Sequence, residues 1–255
     1  MSPSLPGNVR LRILLTNDDG IDAPGLSALG LATEGLGHRV VVAPSVAWSC
    51  RGHAITTDQP IEVRCDGTDR FAVSGSPADC VRLGLHHLAS EVDWVLAGIN
   101  AGGNLGADIH HSGTVAAARE AVLHGRRAIA FSHYLIRGRP IDWDRAARWT
   151  RSVLAILLRK PWEPGTLWNV NLPHPEPGSP DPPIVSCPVD PSPLPLRFLI
   201  DGEFARYQGD YHGRPRQPGG DIDTCFSGRI SVSRVSLFDA WHETGHLAEK
   251  ETDTA

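Results

Sequence analysis

The sequence predicts an α/β protein: a mostly parallel sheet with helices on both faces, followed by a smaller proline-rich C-terminal part. Three observations predict it. Several short apolar runs lack polar alternation, as strands buried on both faces do. Segments of helical composition separate those runs, so the strands are joined by crossovers. Finally, seven of the 21 prolines precede Pro161 and fourteen fall from Pro161 to Pro218, so compact alternation ends near residues 160–175. This sets a core over residues 8–173 and a C-terminal arm, strands and tail over 174–255.

The elements follow in order. Arg12-Ile13-Leu14-Leu15-Thr16 reads as the first buried strand. Pro24 fits the first turn of a helix carrying Leu26, Leu29 and Leu31. Arg39-Val40-Val41-Val42-Ala43 is a second buried strand, ended by Pro44, and Phe71-Ala72-Val73 is a short third. Ser76-Pro77-Ala78-Asp79 opens a helix with a cap and a proline at its start. Asp93-Trp94-Val95-Leu96-Ala97 is the next strand, and the Ala-rich stretch Ser112 to His124 is a helix. Arg127-Ala128-Ile129-Ala130-Phe131 is a strand, Trp143 to Leu158 a long amphipathic helix, and Leu167 to Leu172 a last strand.

Composition narrows the function class. The formal net charge of -5 argues against a protein that coats DNA or RNA, which carries a basic footprint. The five cysteines, Cys50, Cys65, Cys80, Cys187 and Cys225, are dispersed and form no CxxC pair, as in a reduced intracellular chain. Met1 to Arg10 lacks the apolar region of a signal peptide, and no run reaches the ~18 apolar residues needed to span a membrane. A cytoplasmic protein with no membrane partner is expected.

In parallel sheets ligands bind beyond the carboxyl ends of the strands, so the residues after each strand carry the functional signal. Asn17-Asp18-Asp19-Gly20 follows the first strand. Adjacent carboxylates there repel unless a cation or donors compensate; an exposed Asx-turn is the lesser alternative from these residues alone. Ser49, Arg51 and His53 follow the second strand and read by themselves as a polar loop. Gly98-Ile99-Asn100-Ala101-Gly102-Gly103-Asn104-Leu105-Gly106 is glycine-rich but fits neither GxGxxG nor the P-loop pattern. Ser112-Gly113-Thr114 opens the Ala-rich helix. Hydroxyls and N–H groups at a positive helix end suit a phosphate, while a plain N-cap accounts equally for them in isolation. His110 and His111 precede that start. Together these strand ends supply hard oxygen donors beside an anion site. That points to Mg²⁺ or Mn²⁺ and to phosphoryl chemistry.

In these same residues the chain resembles the SurE family of survival proteins, metal-dependent 5′/3′-nucleotidases. The resembling strings are Ile13 to Gly20 with Ala23-Pro24-Gly25; Val42-Ala43-Pro44 with Ser49 and Gly52-His53-Ala54-Ile55-Thr56; and Gly75 to Val81. The longest runs from Gly98 through Asn104-Leu105-Gly106 to Ser112 and Ala118, and Ala128 to Ser132 and Asn169 to Pro173 extend it. The resemblance implies a Rossmann-like core and a C-terminal part, with hairpin and tail, that exchanges elements between subunits in a homodimer or homotetramer. It implies one divalent ion (Mg²⁺ or Mn²⁺) held by Asp18, Asp19, Ser49 and Asn100, and phosphate binding by Asn104, Ser112, Gly113 and Thr114. The catalytic group is then Asp18, Asp19, Asn104 and Ser112, acting on a nucleoside monophosphate or another phosphomonoester through a metal-activated water.

The chain departs from the family pattern at Ser45-Val46-Ala47-Trp48, at Gly103 and at Ser233-Arg234-Val235-Ser236-Leu237. The metal set is intact, so chemistry is expected; a non-catalytic nucleotide-binding protein is the alternative the altered loop suggests. His242-Glu243-Thr244-Gly245-His246 matches the HExxH zinc motif. It lies about ten residues from the end, with little chain left for a third ligand, and Gly245 disfavours the helix it needs. A solvated tail helix is the better reading.

Overall fold

The computed structural model describes residues 10–89 and 91–238. The HExxH segment lies outside the described residues.

Nine strands form one sheet in the order β3-β4-β2-β1-β5-β6-β7-β11-β8. The front strands are β1 (Leu11–Thr16), β2 (Gly37–Pro44), β4 (Arg70–Val73), β5 (Trp94–Ala101), β6 (Arg127–His133) and β7 (Thr166–Leu172). Each pairs in parallel with its neighbours in this set. Short β3 (Val63–Cys65) joins the β4 edge antiparallel. At the other edge β11 (Ile230–Ser236) runs antiparallel to β7, and β8 (Ile184–Ser186) lies parallel to β11. Part of the proline-rich region therefore continues the core sheet. Another part forms a separate two-stranded hairpin, β9 (Phe198–Asp201) with β10 (Phe204–Tyr207).

The unbroken apolar runs are explained by cover on both faces. Ile13 and Leu15 of β1 pack with Leu29 of α1 (Pro24–Ala32) and Leu154 of α4 (Trp143–Leu157). Leu14, between them, packs on the opposite face with Val81 of α2 (Pro77–Leu83) and Val115 and Ala118 of α3 (Gly113–Leu123). Small residues let α3 lie close to the sheet: Ala116, Ala117, Ala118 and Ala121 are all buried.

Helix starts follow the sequence signals. Ser76 and Asp79 make a reciprocal capping box at α2. Asp142 caps α4 by accepting the Arg145 N–H at 2.9 Å, and Ser112 caps α3 by accepting the Val115 N–H at 3.0 Å. The last helix, α5 (Asp221–Phe226), packs on β7 and β11.

β5 is longer than its apolar run suggests. It continues to Ala101, with a register shift against β6 between Ala97 and Asn100. Asn100, expected in a loop, therefore sits on the strand end. From β1 the chain passes to β2 on one side, and β5 lies on the other. That reversal opens a crevice at the carboxyl ends of β1 and β5, where α/β sheets place their ligands.

Candidate active site

The crevice is built around the turn after β1. Asn17 and Asp18 are buried there. The Asn17 amide donates to Gly20 O at 2.7 Å, while its Oδ1 is buried without a partner. The Trp48 N–H donates to Asp18 O at 2.7 Å and pins the loop after β2 against this turn. The Asp18 carboxylate accepts a hydrogen bond from the Thr114 hydroxyl in the first turn of α3. Gly113 makes that approach possible. A Cβ at Gly113 would stand 2.8 Å from Asp18 Cβ and 2.9 Å from Asp18 Oδ2.

Asp19 faces the other side of the crevice. Its Oδ2 accepts the Ala101 N–H at 3.0 Å. One residue earlier, the Asn100 amide nitrogen donates to Gly102 O at 2.8 Å, which leaves the amide oxygen without a donor from this contact. Asp18, Asp19, Asn100, Gly113 and Thr114 are thus brought together from β1, β5 and α3. Ser49 is exposed, one residue beyond Trp48, and makes no hydrogen bond among the described residues.

Burial raises the Asp18 carboxyl from its usual 3.8 to about 6; the Thr114 hydrogen bond opposes this and the Asp19 charge adds to it. Two adjacent carboxylates, one of them buried, are what a divalent cation would neutralise. The chemistry of the donor set fits a hard cation: two carboxylates with amide and hydroxyl oxygens. Among the described residues no group of three or more His, Cys, Asp or Glu is placed to hold a metal.

The facing side of the crevice is α3 and the loop before it, the segment expected to meet an anion. Ser112 Oγ accepts the Val115 N–H, so its own proton remains to donate. The Thr114 hydroxyl is committed to Asp18, so this residue's offer to an anion is its place at the positive helix end. Asn104 is buried, and its amide nitrogen donates to Ser132 Oγ at 2.7 Å. Its backbone is gripped by β7: the Asn104 N–H donates to Asn171 Oδ1 at 2.8 Å, and Asn104 O accepts from Asn169 and Asn171 at 2.8 and 3.0 Å.

Those supporting residues, with Ser132, Asp108, Tyr211 and Arg214, were not assigned roles from the sequence. Asn169 and Asn171 did carry a signal. Two amides at alternate positions of a buried strand must find partners. Nothing marked Tyr211 or Arg214, which lie about a hundred residues from the loop they touch. His110 and His111 are exposed at the rim.

Comparison with known proteins decides the family. The profile described as Survival protein SurE matches residues 13–185. The chain belongs to the SurE family. A putative 5′-nucleotidase of Synechocystis sp. is 51% identical over 228 residues, 89% of this chain and 100% of that protein. The 5′-nucleotidase SurE of Paramagnetospirillum magneticum is 38% identical over 248 residues, covering 91% of this chain and 92% of that protein. The crystal structure of the SurE protein from Aquifex aeolicus superposes with a TM-score of 0.79 at 33% identity, over 89% of this chain and 94% of that one. The SurE-family fold bears out the expected parallel α/β sheet with helices on both faces. No described helix is long and apolar enough to cross a membrane.

Proposed function

We propose that this SurE-family enzyme, a 5′-nucleotidase, hydrolyses nucleoside monophosphates with one divalent cation held by Asp18, Asp19, Ser49 and Asn100. The observation that carries the reading is the Asp18–Thr114 hydrogen bond, which joins the carboxylate pair to the helix start. A cation bound there would supply an electrophile for a phosphate oxygen and an acidified water. The chain's own groups do the rest. Ser112, the Asn104 amide and the N–H groups at the start of α3 orient the phosphoryl group and meet the charge that builds on its oxygens. Asp18 or Asp19 orients the attacking water and takes its proton. Hydrolysis of 3′-nucleotides by the same site belongs to this proposal, as does a cytoplasmic setting.

The hairpin β9–β10 supports assembly. Phe198, Ile200 and Tyr207 share one of its faces and are half to two-thirds exposed. A lone two-stranded hairpin is marginal in water, and an apolar patch of this kind marks an interface. The occupant proposed is a second copy of this chain, in a homodimer or homotetramer.

The reading is tested by stripping the protein with a chelator and restoring Mg²⁺, Mn²⁺ or Zn²⁺ singly. Phosphate release is then measured across 5′- and 3′-nucleotides and an aryl phosphate. Turnover restored by Mg²⁺ or Mn²⁺ is expected. Nucleotide binding that ignores the chelator, with no phosphate release under any ion, would instead favour a non-catalytic binding protein.

A further inference from the structure

The loop between Asn104 and Ser112 is held from outside the core. It contains one 3₁₀ turn, Gly106–His110, too short to fix its own geometry. Asp108, in the middle of that turn, faces two ways. Its backbone carbonyl accepts the N–H groups of His111 and Ser112, each at 3.0 Å. Its carboxylate receives Arg214 Nη1 at 2.8 Å to both oxygens. Arg214 Nη2 donates to Leu105 O at 2.8 Å, next to Asn104. The Tyr211 hydroxyl lies 3.1 Å from Asp108 Oδ2 and 3.2 Å from Gly103 O, with one proton to share between them. The Arg214 guanidinium also stacks on the Tyr211 ring, 4.5 Å from its centre. Burial first, and the Asp108 charge second, hold the Tyr211 phenol well above its ordinary pKa, so it stays a donor.

A second tie lies beside the first. The Gly106 N–H donates to Asp221 Oδ2 at 2.9 Å, and Asp221 Oδ1 accepts the Asp190 N–H at 2.9 Å. Gly106 has a φ of +53°, and a Cβ there would meet Ile222 Cδ1 at 2.9 Å. The C-terminal segment is therefore seated against both halves of the phosphate loop.

We propose that Arg214, Asp108 and Tyr211 form a positioning clamp that sets the spacing between Asn104 and Ser112, and with it the affinity for the phosphoryl group. The proposal rests on the phosphate-site reading above. Stability alone is a poor account of the clamp. Buried ion pairs are often no better than apolar packing, and Arg214 Nε is left buried without a partner. Geometry is a better account. Preorganised donors stabilise a phosphoryl group only while their spacing is fixed, and misplacement by about 1 Å can cost about a hundredfold.

The test compares the wild-type protein with Tyr211→Phe and with the double variant Asp108→Asn/Arg214→Gln, which keeps polar groups but removes the charges. Binding of inorganic phosphate by calorimetry, in Mg²⁺, gives a readout that needs no turnover. KM and kcat for an aryl phosphate and thermal unfolding complete it. The clamp predicts that phosphate Kd and KM rise together, about threefold in Tyr211→Phe and about tenfold in the double variant. The melting temperature of Tyr211→Phe should move by less than about 3 °C. Wild-type Kd and KM in folded variants, or a fall in melting temperature alone, would overturn the clamp. If the double variant does not fold, Tyr211→Phe decides. A wild-type protein that hydrolyses phosphomonoesters while the variants match it sinks the clamp only. A wild-type protein that neither binds phosphate nor turns over sinks the site reading and the clamp with it.

Discussion

At the scale of single residues, α3 comes close enough to Asp18 for Thr114 to hydrogen-bond its carboxylate. Gly113 has no side chain to displace, and a methyl group there would press on the Asp18 carboxylate. Gly113→Ala should therefore lower kcat/KM by about a hundredfold or more, since a small shift at the reacting centre is costly. Its urea midpoint should fall only modestly, because Ala suits a helix better than Gly. Parallel kinetics and urea unfolding check both halves. This residue was legible beforehand as part of a Ser-Gly-Thr helix start, but its reason was not. The sequence shows a glycine; only the fold shows which carboxylate it makes room for. Thr114 is similar. Read as a phosphate ligand, its hydroxyl is spent on Asp18, and its contribution to an anion passes to the helix start.

At the scale of elements, β7 holds the loop at Asn104 by its side chains as well as packing beside β6. Asn171 satisfies both backbone groups of Asn104, and Asn171→Leu would leave a buried N–H without its partner. A loss of about 2–3 kcal/mol is expected from urea unfolding, with a larger proportional loss of activity than the stability change explains. Elements were well legible where periodicity and turn chemistry agreed. The buried runs of β1, β2, β5 and β6 lack polar residues because helices cover both faces. The capping box at Ser76 is local chemistry, readable without a fold. After residue 173 strands and a hairpin were expected, but neither their bounds nor their pairing was legible. β8, β9 and β10 are three or four residues long, and none has enough chain to show a period. Their pairing depends on partners distant in sequence.

At the scale of the molecule, acid should probe how the sheet's carboxyl edge is packed. His133 at the end of β6 stacks on Trp149, meets His174 edge-on and lies near Trp143 and Asp142. Burial chiefly lowers its imidazole from 6.5 to about 4, so the folded ring is neutral where the unfolded one is charged. Between those values the unfolded chain binds the extra proton. Stability from the neutral ring is full above about pH 6.5 and is lost as pH falls toward about 4, by up to about 3 kcal/mol. Urea unfolding at pH 7.5 and 4.5 should show this loss in the wild type and much less of it in His133→Gln. An equal loss in both would place the acid sensitivity elsewhere.

Assembly is tested on the same scale. Ile200→Lys on the exposed hairpin should shift the mass seen by light scattering toward the monomer at micromolar concentration. A wild-type monomer would contradict the second-copy reading. The acidic net charge argues against a nucleic-acid coat and leaves open a small anionic ligand held in one pocket. The two are reconciled locally, because the negative charges that matter are gathered on Asp18 and Asp19, where a cation would cancel them. The proline-rich region likewise resolves into two roles. β8 and β11 extend the sheet, and the segment around Tyr211 and Arg214 grips the loop between β5 and α3.

The central claim is that the Asp18 and Asp19 carboxylates hold the cation that phosphate release requires. Its most direct measurement is phosphate release from a nucleoside 5′-monophosphate at saturating Mg²⁺ or Mn²⁺, by folded Asp18→Asn and Asp19→Asn proteins. The account predicts that each isosteric change lowers kcat by at least about a thousandfold while far-ultraviolet circular dichroism is unchanged. Wild-type turnover in both variants would contradict it.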